Sequence, residues 1–179
     1  MVEVKIKPQW KRAALKESKD MGTLRQSITK GAGNTAGFIG ELVVANYLGI
    51  KKKNTYQYDL VEPKKCSTYD VKTKRCKSKP LPTYTVSVCA LNPNQKCDAY
   101  IFVRVTHELD TAWILGYVPK DEYFKKAKFC KRGDLDPDSN CHWRFKEDCY
   151  NMYIKDLNNI SELKKKKAQL KQKKTIKQR

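Results

Sequence analysis

Five segments at residues 55 to 61, 68 to 75, 83 to 89, 98 to 106 and 111 to 118 constrain this chain most. Most of them alternate in polarity or are rich in β-branched and aromatic residues. One apolar helix signal precedes them, T35-A-G-F-I-G-E-L-V-V-A-N-Y-L-G49, ending on a glycine suited to a left-handed helix C-terminus. Asn34 is placed to cap that helix. A helix followed by strands predicts an α/β domain with a central mixed sheet and helices on its faces. A polar helix is expected around Trp10 to Lys19 and a short one over Pro119 to Lys128, with proline in its first turn. Further strands are expected at 142 to 146 and 149 to 154, ahead of a C-terminal helix. Three regions follow: an accessory arm over 1–34, the main domain over 35–163 and a lysine-rich tail over 164–179.

Charge then narrows the partner. The chain of 179 residues carries 38 Lys and Arg against 19 Asp and Glu, a net +19 that attracts polyanions. Nine of those basic residues fall in the last sixteen positions, and setting them aside still leaves base in clear excess over acid. Nucleic acid is the leading partner. The tail, Lys164, Lys165, Lys166 and Lys167 onward, reads as a solvated segment, as an arm making non-specific phosphate contacts, or as both. No window approaches the roughly 20 apolar residues that span a bilayer, and no long apolar run follows the first charges. A soluble, intracellular protein is expected. The seven cysteines are an odd number without tight repeated spacing, which argues for free thiols over a secreted disulfide framework.

Three acids stand where acids are unusual. In the 35–49 helix, Phe38, Leu42, Ala45 and Leu48 form an apolar stripe, and Glu41 lies within it. A carboxylate directed toward a sheet needs a cation or a metal; the plainer reading is a glutamate at the stripe's edge. Asp59 lies in Y56-Q-Y-D-L-V61. If this segment pairs antiparallel with 68–73, a symmetric register sets Val61 against Thr68 and Leu60 against Tyr69. Asp59 then faces Asp70, about 5 Å away, and two carboxylates so close call for a positive charge between them. Asp70 and Lys72 share one face of the strand S67-T-Y-D-V-K-T-K-R75. Alone, D70-V-K72 reads more readily as a surface ion pair than as a site. Together the three acids point to one place.

In that order, G40-E41, then D59, then D70-V-K72, the chain resembles the PD-(D/E)XK nuclease superfamily over roughly residues 34 to 106. The helix around G37-F-I-G-E41, the D-V-K strand and the strand C97-D-A-Y-I-F-V103 look most like small phage-encoded members and Holliday-junction resolvases. Tyr58 stands where the family carries proline before its first aspartate. The resemblance implies a restriction-endonuclease-like core of order αβββαβ. It also implies a metal-dependent site in which Glu41, Asp59, Asp70 and the backbone carbonyl of Val71 hold Mg²⁺, with Mn²⁺ as a substitute. Lys72 would orient or deprotonate the attacking water, its own pKa depressed by the metal. Lys74 continues the same face, and Arg75, Lys77 and Lys79 extend a basic edge toward nucleic acid.

The expected activity is that of a DNA endonuclease, acting as a homodimer by resemblance. It is either structure-selective or sequence-specific in the manner of homing and restriction enzymes. The alternative from another class is a non-catalytic basic nucleic-acid-binding protein on a nuclease-like fold. Gln95 and Lys96 precede a strand and read more readily as loop polarity than as site residues. Cys130, Cys141, His142 and Cys149 are conceivable zinc ligands, although zinc sites usually show closer paired spacing. G31-A-G-N34 lacks the G-K-[ST] of a phosphate loop, so no nucleotide hydrolysis is assigned.

Overall fold

The computed structural model describes residues 1–21, 33–53, 55, 57–63, 66–90, 95–136 and 144–164. In chain order the elements are β1 (Val2–Lys5), α1 (Pro8–Met21), α2 (Asn34–Leu48), β2 (Lys51–Lys52), β3 (Leu60–Glu62), β4 (Ser67–Cys76), β5 (Thr85–Cys89) and β6 (Ala99–Thr106). They continue with β7 (Thr111–Pro119), α3 (Lys120–Lys126), β8 (Lys128–Cys130) and β9 (Cys149–Tyr153), and a 3-10 turn over Ile154–Asp156 follows.

A six-stranded sheet runs β1-β7-β6-β4-β3-β2 and a three-stranded sheet runs β5-β9-β8. Only β4 and β6 pair in parallel, so the main sheet is mixed. Every residue of β6 is buried, as expected for a central strand covered on both faces. On one face Ile101, Val103, Ile114 and Val71 pack against Phe38, Ile39, Val43 and Val44 of α2. On the other, Tyr100, Phe102 and Trp113 meet Val86 and Val88 of β5, Met152 of β9 and Tyr123 of α3. The result is an α/β fold with a mixed sheet flanked by helices. The crossover from β4 to the parallel β6 passes through β5 of the second sheet, and the helix that an αβββαβ order places there is not found among the described residues.

Several expectations need adjustment. Gly33 holds the N-cap position of α2 and Asn34 is its first helical residue, so Asn34 does not cap. Gly49 does adopt the left-handed conformation, φ 60°, and its backbone N–H bonds back to Asn46. The first hairpin strand is shorter than the alternation of 55 to 61 suggests. The Thr55 hydroxyl donates to the Tyr58 carbonyl at 2.8 Å and accepts from the backbone N–H of Tyr58 at 3.0 Å, folding the chain into a turn before Leu60. Two elements of the expected N-terminal arm join the main body, β1 by pairing with β7 and α1 by packing on α2. Of the expected strand at 142–146, residues 142 and 143 lie outside the described residues. Arg144 makes an isolated bridge with Leu135.

Candidate active site

Glycine 40 decides how closely α2 approaches the sheet. A Cβ on that residue would lie 2.1 Å from the Thr73 hydroxyl oxygen of β4, so only a bare backbone lets the helix rest there. The close approach delivers the next residue, Glu41, to the site. The helix is buried on more than the expected stripe: Ile39, Val43 and Val44 are fully enclosed while Leu42 is only partly so. Glu41 is nevertheless buried, and the cation its burial demands comes from β2. Lys52 Nζ stands 2.9 Å from the Glu41 carboxylate and 2.6 Å from that of Glu17 on α1, over the ring of Phe38.

The hairpin register is the expected one, with Leu60 opposite Tyr69 and Val61 opposite Thr68. Regular pairing stops at Leu60, and Asp59 takes over from the strand. Its backbone N–H donates to the Tyr69 carbonyl at 3.0 Å, and its carboxylate accepts the backbone N–H of Val71 at 2.7 Å. A residue in an extended strand sends its N–H and C=O to the same edge, so the Val71 carbonyl leaves β4 on the side that Asp59 occupies. Asp70 is buried beside it, with Lys72 Nζ 2.6 Å from its Oδ2.

The acids act on one another through their charges. Burial, and then the charges of Asp70 and Glu41, push the Asp59 carboxyl up to about 8 against the pull of the Val71 N–H. Burial also raises Glu41, to about 7, with Lys52 opposing and Glu17 and Asp70 adding to the rise. Burial alone would depress the Lys72 ammonium, but Asp70 outweighs it and holds the pKa above the ordinary lysine value. The expected depression belongs to a site with metal bound; beside Asp70 alone, Lys72 is held as a cation.

Gln95, which the sequence favours as loop polarity, is buried in this site. Its carboxamide oxygen accepts from Lys72 Nζ at 3.1 Å and its nitrogen donates to Asp70 Oδ1 at 3.3 Å. Lys120 Nζ donates to the Gln95 backbone carbonyl. No sequence period marks either residue. The only signal is that Gln95 lies just ahead of β6, the parallel neighbour of β4.

Other expected residues scatter. Lys74 pairs with the buried Asp136 at 2.9 Å. Arg75, Lys77, Lys79 and Lys96 are exposed, and the Lys96 backbone N–H donates to Gln57 two residues before Asp59. Lys164 lies over the Tyr47 ring, at the end of α2. Lys165, Lys166 and Lys167 lie outside the described residues, as do Cys141 and His142. Cys149 is the cross-strand neighbour of both Cys130 and Cys89, and the six described cysteines are free thiols.

The donor chemistry suits a hard divalent cation, since three carboxylates and a strand carbonyl supply oxygen only and Asp70 helps raise both Glu41 and Asp59. Each acid has a partner of its own: Lys52 for Glu41, Lys72 for Asp70 and the Val71 N–H for Asp59. Among the described residues, no group of three or more His, Cys, Asp or Glu is close enough to hold a metal ion. No protein-family model matches the sequence, and no curated protein matches it.

Proposed function

We propose that the protein is a divalent-metal-dependent DNA endonuclease whose site is Glu41, Asp59, Asp70 and Lys72. The observation that carries this reading is that Asp59, half-buried with its carboxylate on the Val71 N–H, stands beside the buried Asp70 at the β3–β4 hairpin, with Glu41 buried on α2, the helix that packs on β4. A protein that only binds nucleic acid gains nothing from concentrating negative charge where phosphates must approach. Mg²⁺, or Mn²⁺ in its place, would be held by Asp59, Asp70, the Val71 carbonyl and Glu41. It would offset charge on the reacting phosphate and acidify a coordinated water.

The chain's own residues divide the remaining work. Lys72, on the Asp70 face of β4, presents a permanent cation to the reacting phosphate once Asp70 turns from it. Lys74, Arg75, Lys77, Lys79 and Lys96 contribute phosphate contacts, and the basic tail from Lys164 onward adds salt-sensitive affinity. DNA as substrate, a homodimer that places two sites on two strands, and an intracellular setting belong to the same proposal. No helix of the described residues is long and apolar enough to cross a membrane.

A second reading rests on a specific observation. Lys52 and Lys72 already neutralise Glu41 and Asp70, an arrangement that suits a basic nucleic-acid-binding protein without catalysis.

One experiment separates the two. Linear duplex, single-stranded and four-way-junction DNA, and RNA, are incubated at low salt with Mg²⁺, Mn²⁺ or EDTA, using wild type and Lys72→Ala. Metal-dependent cutting that disappears in the variant is the expected result, and the preferred substrate separates junction-selective from duplex enzymes. Tight binding with no cutting of any substrate favours the non-catalytic reading.

A further inference from the structure

Resting on that functional reading, the structure assigns a positioning role to Gln95: its carboxamide fixes Lys72 and Asp70 relative to one another, and Lys120 fixes Gln95. A primary amide suits this place because it offers an acceptor and two donors on one planar group. Its oxygen meets the Lys72 ammonium at 3.1 Å while its nitrogen meets the Asp70 carboxylate at 3.3 Å. A glutamate would repel Asp70 and a lysine would repel Lys72.

The amide is itself held from several sides. Gln95 is 9% exposed, so its side chain has little freedom to leave. Its backbone carbonyl accepts from Lys120 Nζ at the start of α3, and the backbone N–H of Lys120 donates to Asp98 at 3.0 Å. Asp98 accepts from both the backbone N–H and the hydroxyl of Thr68, at 2.7 and 3.0 Å, which anchors the segment to the start of β4. The neighbouring Lys96 N–H takes the Gln57 side chain at 2.8 Å, which anchors it to the strand end that carries Asp59. Residues 95 to 98 thus join Asp59's segment, β4 and α3. Gln95 contacts the lysine and the acid without sitting in the donor set, so it acts through them.

The test uses the full chain with Gln95→Ala, Gln95→Glu, Lys72→Ala and the double variant Gln95→Ala/Lys72→Ala. In the wild type's cleavage assay, Gln95→Ala should lower kcat by about 10- to 100-fold and leave KM for DNA within about twofold. Gln95→Glu, which restores the acceptor but sets a second carboxylate against Asp70, should not rescue it. Mn²⁺ affinity, read by electron paramagnetic resonance, should stay the same in Gln95→Ala. Urea unfolding of the four proteins of the cycle should show Gln95→Ala and Lys72→Ala to be non-additive. An unchanged kcat, or a change confined to KM, overturns the assignment. If the wild type cuts no substrate, the nuclease reading fails by itself, and the unfolding cycle still decides: additive variants overturn the coupling of Gln95 to Lys72, and non-additive ones support it.

Discussion

The buried Asp70 is paired at 2.6 Å with the partly exposed Lys72, and removing either has two separable effects. Asp70→Asn and Lys72→Ala should each reduce cleavage by about 100-fold or more while leaving DNA affinity nearly intact, as gel shift in EDTA would report. Lys72→Ala should also destabilise the fold by about 2–3 kcal/mol in urea unfolding, because it leaves the Asp70 carboxylate buried without its cation. Asp59 carries a pH signature. Its folded pKa, about 8, lies above the ordinary carboxyl value, so the folded state keeps a proton that the unfolded chain releases. Stability of the metal-free protein should therefore be greatest below about pH 4 for this group and fall as pH rises through 8. Melting scans of wild type and Asp59→Asn across that window should show a fall in the first that is much flatter in the second. Added Mg²⁺ should restore stability at the alkaline end in wild type alone; an equal response in Asp59→Asn would count against Asp59 as a ligand.

At the level of elements, the contact between α2 and β4 admits no side chain at Gly40. Gly40→Ala should cost about 1–3 kcal/mol by overpacking, and Thr73→Ala, which removes the clashing hydroxyl, should recover part of it in the double variant. This level also shows what the sequence made legible. The strands β4, β6 and β7 were readable because alternation or dense β-branched and aromatic composition runs through eight or more residues of each. The Leu60–Tyr69 register followed from the symmetry of one hairpin, and Asp59 and Asp70 came with it. The strands β1, β2 and β8 have two to four residues, and both residues of β2 are lysine, so no period could announce them. Lys52, the cation on Glu41, was hidden for that reason. Gln95 was legible as a polar residue before a strand but not as a site residue, because its place depends on a parallel pairing that brings distant segments together.

For the whole molecule, the proposed function divides affinity, assigned to the basic tail, from chemistry, assigned to the acids. Asp59 and Asp70 lie at the β3–β4 hairpin and Glu41 in the middle of α2, whereas the basic tail begins at Lys164 over Tyr47, near the C-terminal end of α2. Deleting residues 164–179 should lower DNA affinity and flatten its dependence on salt, while kcat at saturating DNA stays within about twofold. A truncated protein that is inactive at saturation would show that the tail takes part in the reaction. The edge strand β1 bears on how the molecule comes into being. Lys5 meets Thr111 across 106 positions of sequence, so during synthesis the first strand emerges long before its partner has been made. Until then β1 has no place in the sheet, and once β7 emerges its outer edge is open until β1 returns to it. A chain in which β1 is lost or blocked would present that edge to other copies, which makes β1 a guard against self-association while the chain is being made.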